Sequence, residues 1–149
     1  MQKLSNNFYL NEFTTSQTAT RRNIRNDPTI SQVYNLRMLC QHVLQPLRDH
    51  VAHPIHVSSG FRSDILNSLI GGSKTSQHKE GKAADLIHPT DNVIYFEYIK
   101  DDLPFDQLIF EFGDQFYPAW IHVSFNQSHN RGEVLRAVRE HGQTVYKPY

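Results

Sequence analysis

Two side chains able to grip a metal ion, His78 and Asp85, stand seven positions apart in the stretch TSQHKEGKAADL, Thr75 to Leu86. Imidazole nitrogen and carboxylate oxygen are zinc ligands, and a catalytic zinc takes three protein donors while keeping one position for water. Gly81 lies between the two, where the absence of a Cβ lets the backbone turn tightly, so both side chains can converge on one point. A third donor must come from elsewhere. The best candidate is His122 in WIHVSF, because alternation along a strand puts His122 and Ser124 on the face opposite Ile121 and Val123. Each of the three also has a plainer reading: His78 as a loop residue, Asp85 as a turn or cap, His122 as a satisfied core histidine. Spacing alone leaves the choice open.

The elements that must carry these residues can be read from punctuation and periodicity. Residues 1–26 are polar with scattered aromatics and are expected to form an irregular arm packed on the domain. Asp27 and Pro28 open a helix, the first as cap and the second in the first turn. Val33, Leu36, Leu39, Cys40, Val43, Leu44 and Leu47 then follow at helical spacing, until Pro46 is expected to kink or end the helix near Gln45. PIHVSSG reads as a short strand, and Ser63 caps a short helix that Gly71 or Gly72 stops. KAADLIHP, FDQLIFEFG and AWIHVSF read as further strands, with a helix over residues 91–103 between the first two. Residues 134–149 read as a terminal hairpin turning at His141-Gly142. This order predicts one α+β domain over residues 1–149, a small and mostly antiparallel sheet with helices packed on it.

Composition removes several classes of function. The 149 residues carry 15 basic and 15 acidic side chains, which argues against a nucleic-acid surface and against an acidic disordered tail. Arg21, Arg22 and Arg25 are the one local basic cluster and read as a solvated face. A single cysteine, Cys40, allows neither an internal disulfide nor a cysteine-based zinc site, and its place on the apolar stripe makes it a buried packing residue. No run approaches the ~20 apolar residues of a membrane span, so no membrane insertion is expected. The N-terminus has no apolar core of signal-peptide length, so action at the bacterial cell wall or periplasm would need another delivery route. A monomer is expected.

Three segments together, SSGFRS, GGSKTSQHKEGKAADL and FDQLIFEFG…WIHVSF, resemble the zinc D-alanyl-D-alanine carboxypeptidase family. That family includes cell-wall carboxypeptidases, phage endolysins that cut peptidoglycan peptides, and vancomycin-resistance dipeptidases, and hedgehog signalling domains share its fold. The resemblance covers about Leu36 to Phe125. It implies one zinc ion held by His78, Asp85 and His122, with Ser76 binding the terminal carboxylate of a peptidoglycan peptide and Arg62 reaching the scissile carbonyl or its neighbouring carboxylate. An arginine fork suits both a carboxylate and a developing oxyanion.

One position departs from the family pattern. Many relatives place an acidic residue three before the last histidine ligand, and here that residue is Ala119. Glu111 is the expected general base instead, nearly opposite His122 if the two strands pair as a hairpin. Asp114 is the second choice, and Gln107 is expected to hydrogen-bond in the same cleft. His88 could compete as a ligand, and His129 could line the cleft. The resemblance implies a zinc peptidase acting on D-amino-acid-containing bonds, as carboxypeptidase or endopeptidase. Ala119 keeps open a zinc-stabilised binding module without catalysis.

Overall fold

A computed structural model describes residues 1–149. The N-terminal arm is more regular than expected. It holds two single-turn helices, α1 (Leu10–Thr14) and α2 (Gln17–Arg21), anchored because Phe8 and Phe13 are driven into the core. Ser16 caps α2 by accepting the backbone N–H of Ala19 at 3.2 Å.

Helix α3 (Ile30–Leu39) begins two residues later than the sequence suggests. Thr29, not Asp27, is its cap. The Thr29 hydroxyl accepts from the Gln32 N–H while the Gln32 side chain accepts from the Thr29 N–H, so two otherwise unpaired donors are satisfied together. Asp27 pairs instead with Arg25 at 2.8 Å. Nor does Pro46 end the helix. The chain widens over Cys40–Leu44, where Gln45 N–H reaches the Cys40 carbonyl five residues back, and then continues as α4 (Gln45–Val51) with Pro46 in its first turn. A wider turn relieves the clash and the missing donor that proline brings to a helix interior.

Six strands follow: β1 (His56–Ser59), β2 (Ala83–Ile87), β3 (Gln107–Glu111), β4 (Trp120–Ser124), β5 (Glu133–Glu140) and β6 (Gln143–Pro148). They form one sheet in the order β1-β2-β4-β3-β5-β6, antiparallel throughout except where β5 runs parallel to β3. Two further helices, α5 (Asp64–Leu69) and α6 (Val93–Asp102), complete an α+β fold. Ser63 caps α5 as expected, and His141-Gly142 turns the terminal hairpin.

The sheet has one dry face. Ala84, Leu86, Leu108, Phe110, Ile121 and Val123 lie in a single core with Leu36, Leu39, Cys40 and Leu44 of the first long helix and Phe96 and Ile99 of α6. Burying a large aliphatic or aromatic side chain is worth about 1.5–3 kcal/mol, so this layer fixes the register of all the central strands. Whatever stands at alternate positions must face the other way. Those positions include Asp85, His122, Ser124, Gln107 and Glu111, with Ile109 and Trp120 beside them.

Candidate metal centre and cleft

Asp85 and His122 are directly opposed on the neighbouring antiparallel strands β2 and β4. Opposed residues in such a pair hold their Cβ atoms about 4.5–5.5 Å apart, and here His122 Nδ1 lies 3.2 Å from Asp85 Oδ1. His78 arrives from a single 3₁₀ turn, Gln77–Glu80, whose cap is the Ser76 hydroxyl accepting the His78 N–H. Gly81 closes that turn at φ +73, and a Cβ there would stand 2.5 Å from the Gln32 carbonyl of α3, so only glycine fits. His78 Nε2 lies 3.3 Å from the same Asp85 Oδ1. Ligand atoms of all three residues fall within 4.8 Å of one another, and all three residues are buried.

Hydrogen bonding around the cluster sorts its ligand atoms. His78 Nδ1 is 2.7 Å from the Gly60 carbonyl oxygen, which can only accept, so Nδ1 carries the proton. With Nδ1 so engaged, Nε2 is the ring nitrogen left to face Asp85 Oδ1, and two histidine nitrogens with one carboxylate oxygen form a donor set that suits zinc. Asp85 is held ionised, its carboxyl below the usual range because the two histidines outweigh the cost of burial. Its other oxygen, Oδ2, accepts from Arg62 Nη2 at 3.3 Å, which leaves Oδ1 for the ion.

Around this cluster opens a cleft of about 840 Å³, lined by Arg62, Ser76, Gln107 and Glu111 among others. Arg62 is fixed by Ser59 Oγ at 3.0 Å and Asn67 Oδ1 at 3.5 Å as well as by Asp85. Arg62 thus braces its loop through an ion pair with Asp85 while standing beside the cluster. Gln107 donates to Glu133 Oε1 at 2.7 Å, so its amide is already engaged.

Glu111 is buried at the cleft wall, but its register differs from the expected one. It pairs with Trp120, and His122 pairs with Ile109. Glu111 and His122 therefore stand on the same face, one pleat apart. Burial raises the Glu111 carboxyl to about 7; His122 opposes the rise, Asp85 adds to it and Arg62 opposes it. A carboxyl titrating near neutrality is matched to proton transfer. Ala119 lies outside the cleft lining, and its N–H donates to the Glu111 carbonyl at 2.8 Å, securing the strand end that carries the acid.

Other candidates fall away. Asp114 is exposed and accepts the N–H groups of Phe116 and Tyr117 in its own turn. His88 accepts backbone N–H groups of Thr90 and Asp91 and stacks edgewise on Tyr95, apart from the cluster. His129 is exposed and not part of the cleft.

Several supporting residues escaped the sequence reading. Gln77 Nε2 donates to Asp106 at 2.9 Å, and Asp106 is clasped by Arg131 at 2.8 Å, so the turn bearing His78 is tied to the start of β3. Gly60, which holds the His78 ring, has no room for a Cβ because the Phe13 backbone is 2.7 Å away. The N-terminal arm thus braces the centre. The glycine of SSGFRS was the available signal, but its partner, some fifty residues upstream, left no local trace.

A family model described as Peptidase M15 matches residues 6–124. No curated protein matches the chain.

Proposed function

The chain belongs to the peptidase M15 family, and we propose that it is a zinc metallopeptidase cutting D-amino-acid-containing bonds of peptidoglycan stem peptides, as a D-alanyl-D-alanine carboxypeptidase or an endopeptidase. The observation that carries this reading is the convergence of His78, Asp85 and His122 on one point at the floor of an open cleft, with a proton-transfer carboxyl on the same wall. Zinc held by these three residues supplies Lewis acidity, polarising the scissile carbonyl and lowering the pKa of an attacking water toward ~7.

The chain's own residues do the rest. The Glu111 carboxylate takes a proton from the attacking water and returns it to the leaving amine. Arg62, already desolvated and aimed by Ser59 and Asn67, presents its remaining donor capacity to the charge that develops on the carbonyl oxygen. Ser76, on the rim above His78, meets the carboxylate end of the peptide. Under this reading the site of action is the bacterial cell wall.

Ala119, where many relatives carry an acid, favours a second reading, a zinc-stabilised binding module. One experiment separates the two. Purified protein is assayed for zinc by elemental analysis and incubated with defined muropeptides, with and without chelator, alongside Glu111→Gln. The peptidase reading expects chelator-sensitive cleavage, and a loss of about 10²–10⁴-fold in kcat with zinc retained in the variant. Unchanged turnover in Glu111→Gln would refute the role given to that carboxyl, and zinc-loaded protein that binds muropeptide without cleaving it would favour the module.

A further inference from the structure

Several polar groups of the cleft already have protein partners: Arg62 contacts Ser59, Asn67 and Asp85, Gln77 and Arg131 contact Asp106, and Gln107 contacts Glu133. The polar side chains that the terminal hairpin brings to the cleft do not. Arg139, Thr144 and Tyr146 all line the cleft, yet none of their side chains donates to or accepts from another protein group.

The hairpin's register puts this free set beside the reacting centre. Glu111 pairs with Ala137 on β5, and Ala137 pairs with Tyr146 on β6, so the three share one row of the cleft face. Alanine between two large residues leaves the phenol open to the acid's side. Tyr146 is about half exposed, yet near enough that Glu111, Asp85 and Arg62 all act on its hydroxyl; partial desolvation and the two negative charges raise its pKa, so it stands as a donor. Arg139 pairs with Thr144 in the next row, one pleat or ~7 Å further out. The Arg139 guanidinium lies 4.9 Å from the Phe112 ring, which places it without using its hydrogen-bond donors. Because Arg62 and Arg131 already face carboxylates, Arg139 carries the one uncommitted positive charge of the cleft.

We infer that Arg139, Thr144 and Tyr146 form a carboxylate-binding subsite that selects peptides carrying an acidic group within two residues of the bond cut. A planar guanidinium flanked by two hydroxyl donors matches the two oxygens of a carboxylate. The hairpin lies beyond residues 6–124, the span that the family model matches and that holds the metal centre. The inference rests on the peptidase reading for its substrate.

The test uses zinc-loaded full-length protein and two sets of D-alanine-containing tetrapeptides, identical except for D-glutamate or D-glutamine at an inner position. Wild type is expected to favour the glutamate peptide in kcat/KM by about 10-fold to 100-fold at the position that reaches the subsite. Arg139→Gln should shrink that ratio at least fivefold, and Tyr146→Phe, which deletes one neutral donor, by about twofold to tenfold. Equal cleavage of both sets by wild type, or a ratio unmoved in Arg139→Gln, overturns the subsite and leaves the peptidase reading intact. If wild type cuts neither set, the peptidase reading falls instead. Calorimetric titration of the same peptides then decides the subsite by itself: tighter binding of the glutamate peptide to wild type than to Arg139→Gln upholds it, and equal affinity ends it.

Discussion

On one face of the sheet, Leu86, Ile121, Val123, Leu108 and Phe110 interlock with α6 and the first long helix; on the other, alternating with them along the same strands, stand Asp85, His122, Ser124 and Glu111. The two faces differ less in burial than in what compensates for it. Leu86 and Ile121 are fully buried, and Asp85, Glu111 and His122 are only 7–8 % exposed. Apolar side chains gain from leaving water. Carboxylates and imidazoles lose, and are retained only where partners or an ion make good the loss. His122 Nε2 shows how incomplete the compensation is, being buried with no hydrogen-bond partner. The cleft face is thus held in place by the stability of the dry one.

The sharpest way to break this comparison is to exchange damage between the faces. His122→Ala should abolish zinc binding and hydrolysis, while unfolding of the chelated protein in urea shifts less than in a core variant. Phe96→Ala removes a fully buried ring stacked edgewise on Phe110 at 5.4 Å and should cost about 3–5 kcal/mol, with zinc still bound in the folded fraction. Parallel losses of zinc and stability in both variants would show that the faces are not separable in this way.

How much of this was readable beforehand follows the same division. Strands and helices of the dry face announce themselves, because burial imposes a period of 2 or 3.6 on Leu108, Phe110, Ile121 and Val123 or on Leu36, Leu39 and Val43. The His78, Asp85 and His122 cluster was legible through the spacing around Gly81 and the family resemblance. Most facts missed are those settled by contacts distant in sequence. The cap of α3 is the exception: Thr29 and Gln32 form a local capping box that the sequence already carried, and Gln32 also reaches the Lys79 carbonyl at 3.1 Å. Glu111 is one pleat from its expected partner because strand register is set by the apolar rows, not by the acid. Gln77 and Asp106 pair across 29 positions, which no local pattern encodes.

A second contrast lies between two carboxyls at the two ends of β3, and Glu111 is its larger member. Burial raises its carboxyl from the model-peptide value of 4.5 to about 7. A raised value means that the folded, zinc-free protein favours the protonated acid: the associated stability is complete below 4.5 and is lost as pH rises through about 7. Chelated Glu111→Gln, which cannot ionise, should therefore match wild type below pH 4.5 and exceed it near pH 8 by at most about 3 kcal/mol. Urea midpoints at the two pH values check this. A variant no more stable than wild type at pH 8 would mean that Glu111 is better solvated than its position implies, and would weaken the case for it as a base tuned to neutrality.

Asp106, just before the other end of β3, has the opposite sign. Burial would raise its carboxyl, but hydrogen bonds from Arg131 and Gln77 prevail and hold it at about 2. A lowered value contributes stability that is complete above 3.8 and disappears as pH falls through about 2, worth no more than about 2 kcal/mol. Asp106→Asn should lose that amount at pH 7 and nothing further at pH 2. It should also release Gln77, loosen the turn bearing His78 and weaken zinc binding without abolishing it, since no ligand is removed. Zinc affinity unchanged in Asp106→Asn would make this acid a strand anchor only. A modest fall in affinity together with the acid-side stability loss would mark the two carboxyls as counterparts, one desolvated so that it can exchange a proton and one satisfied so that it cannot.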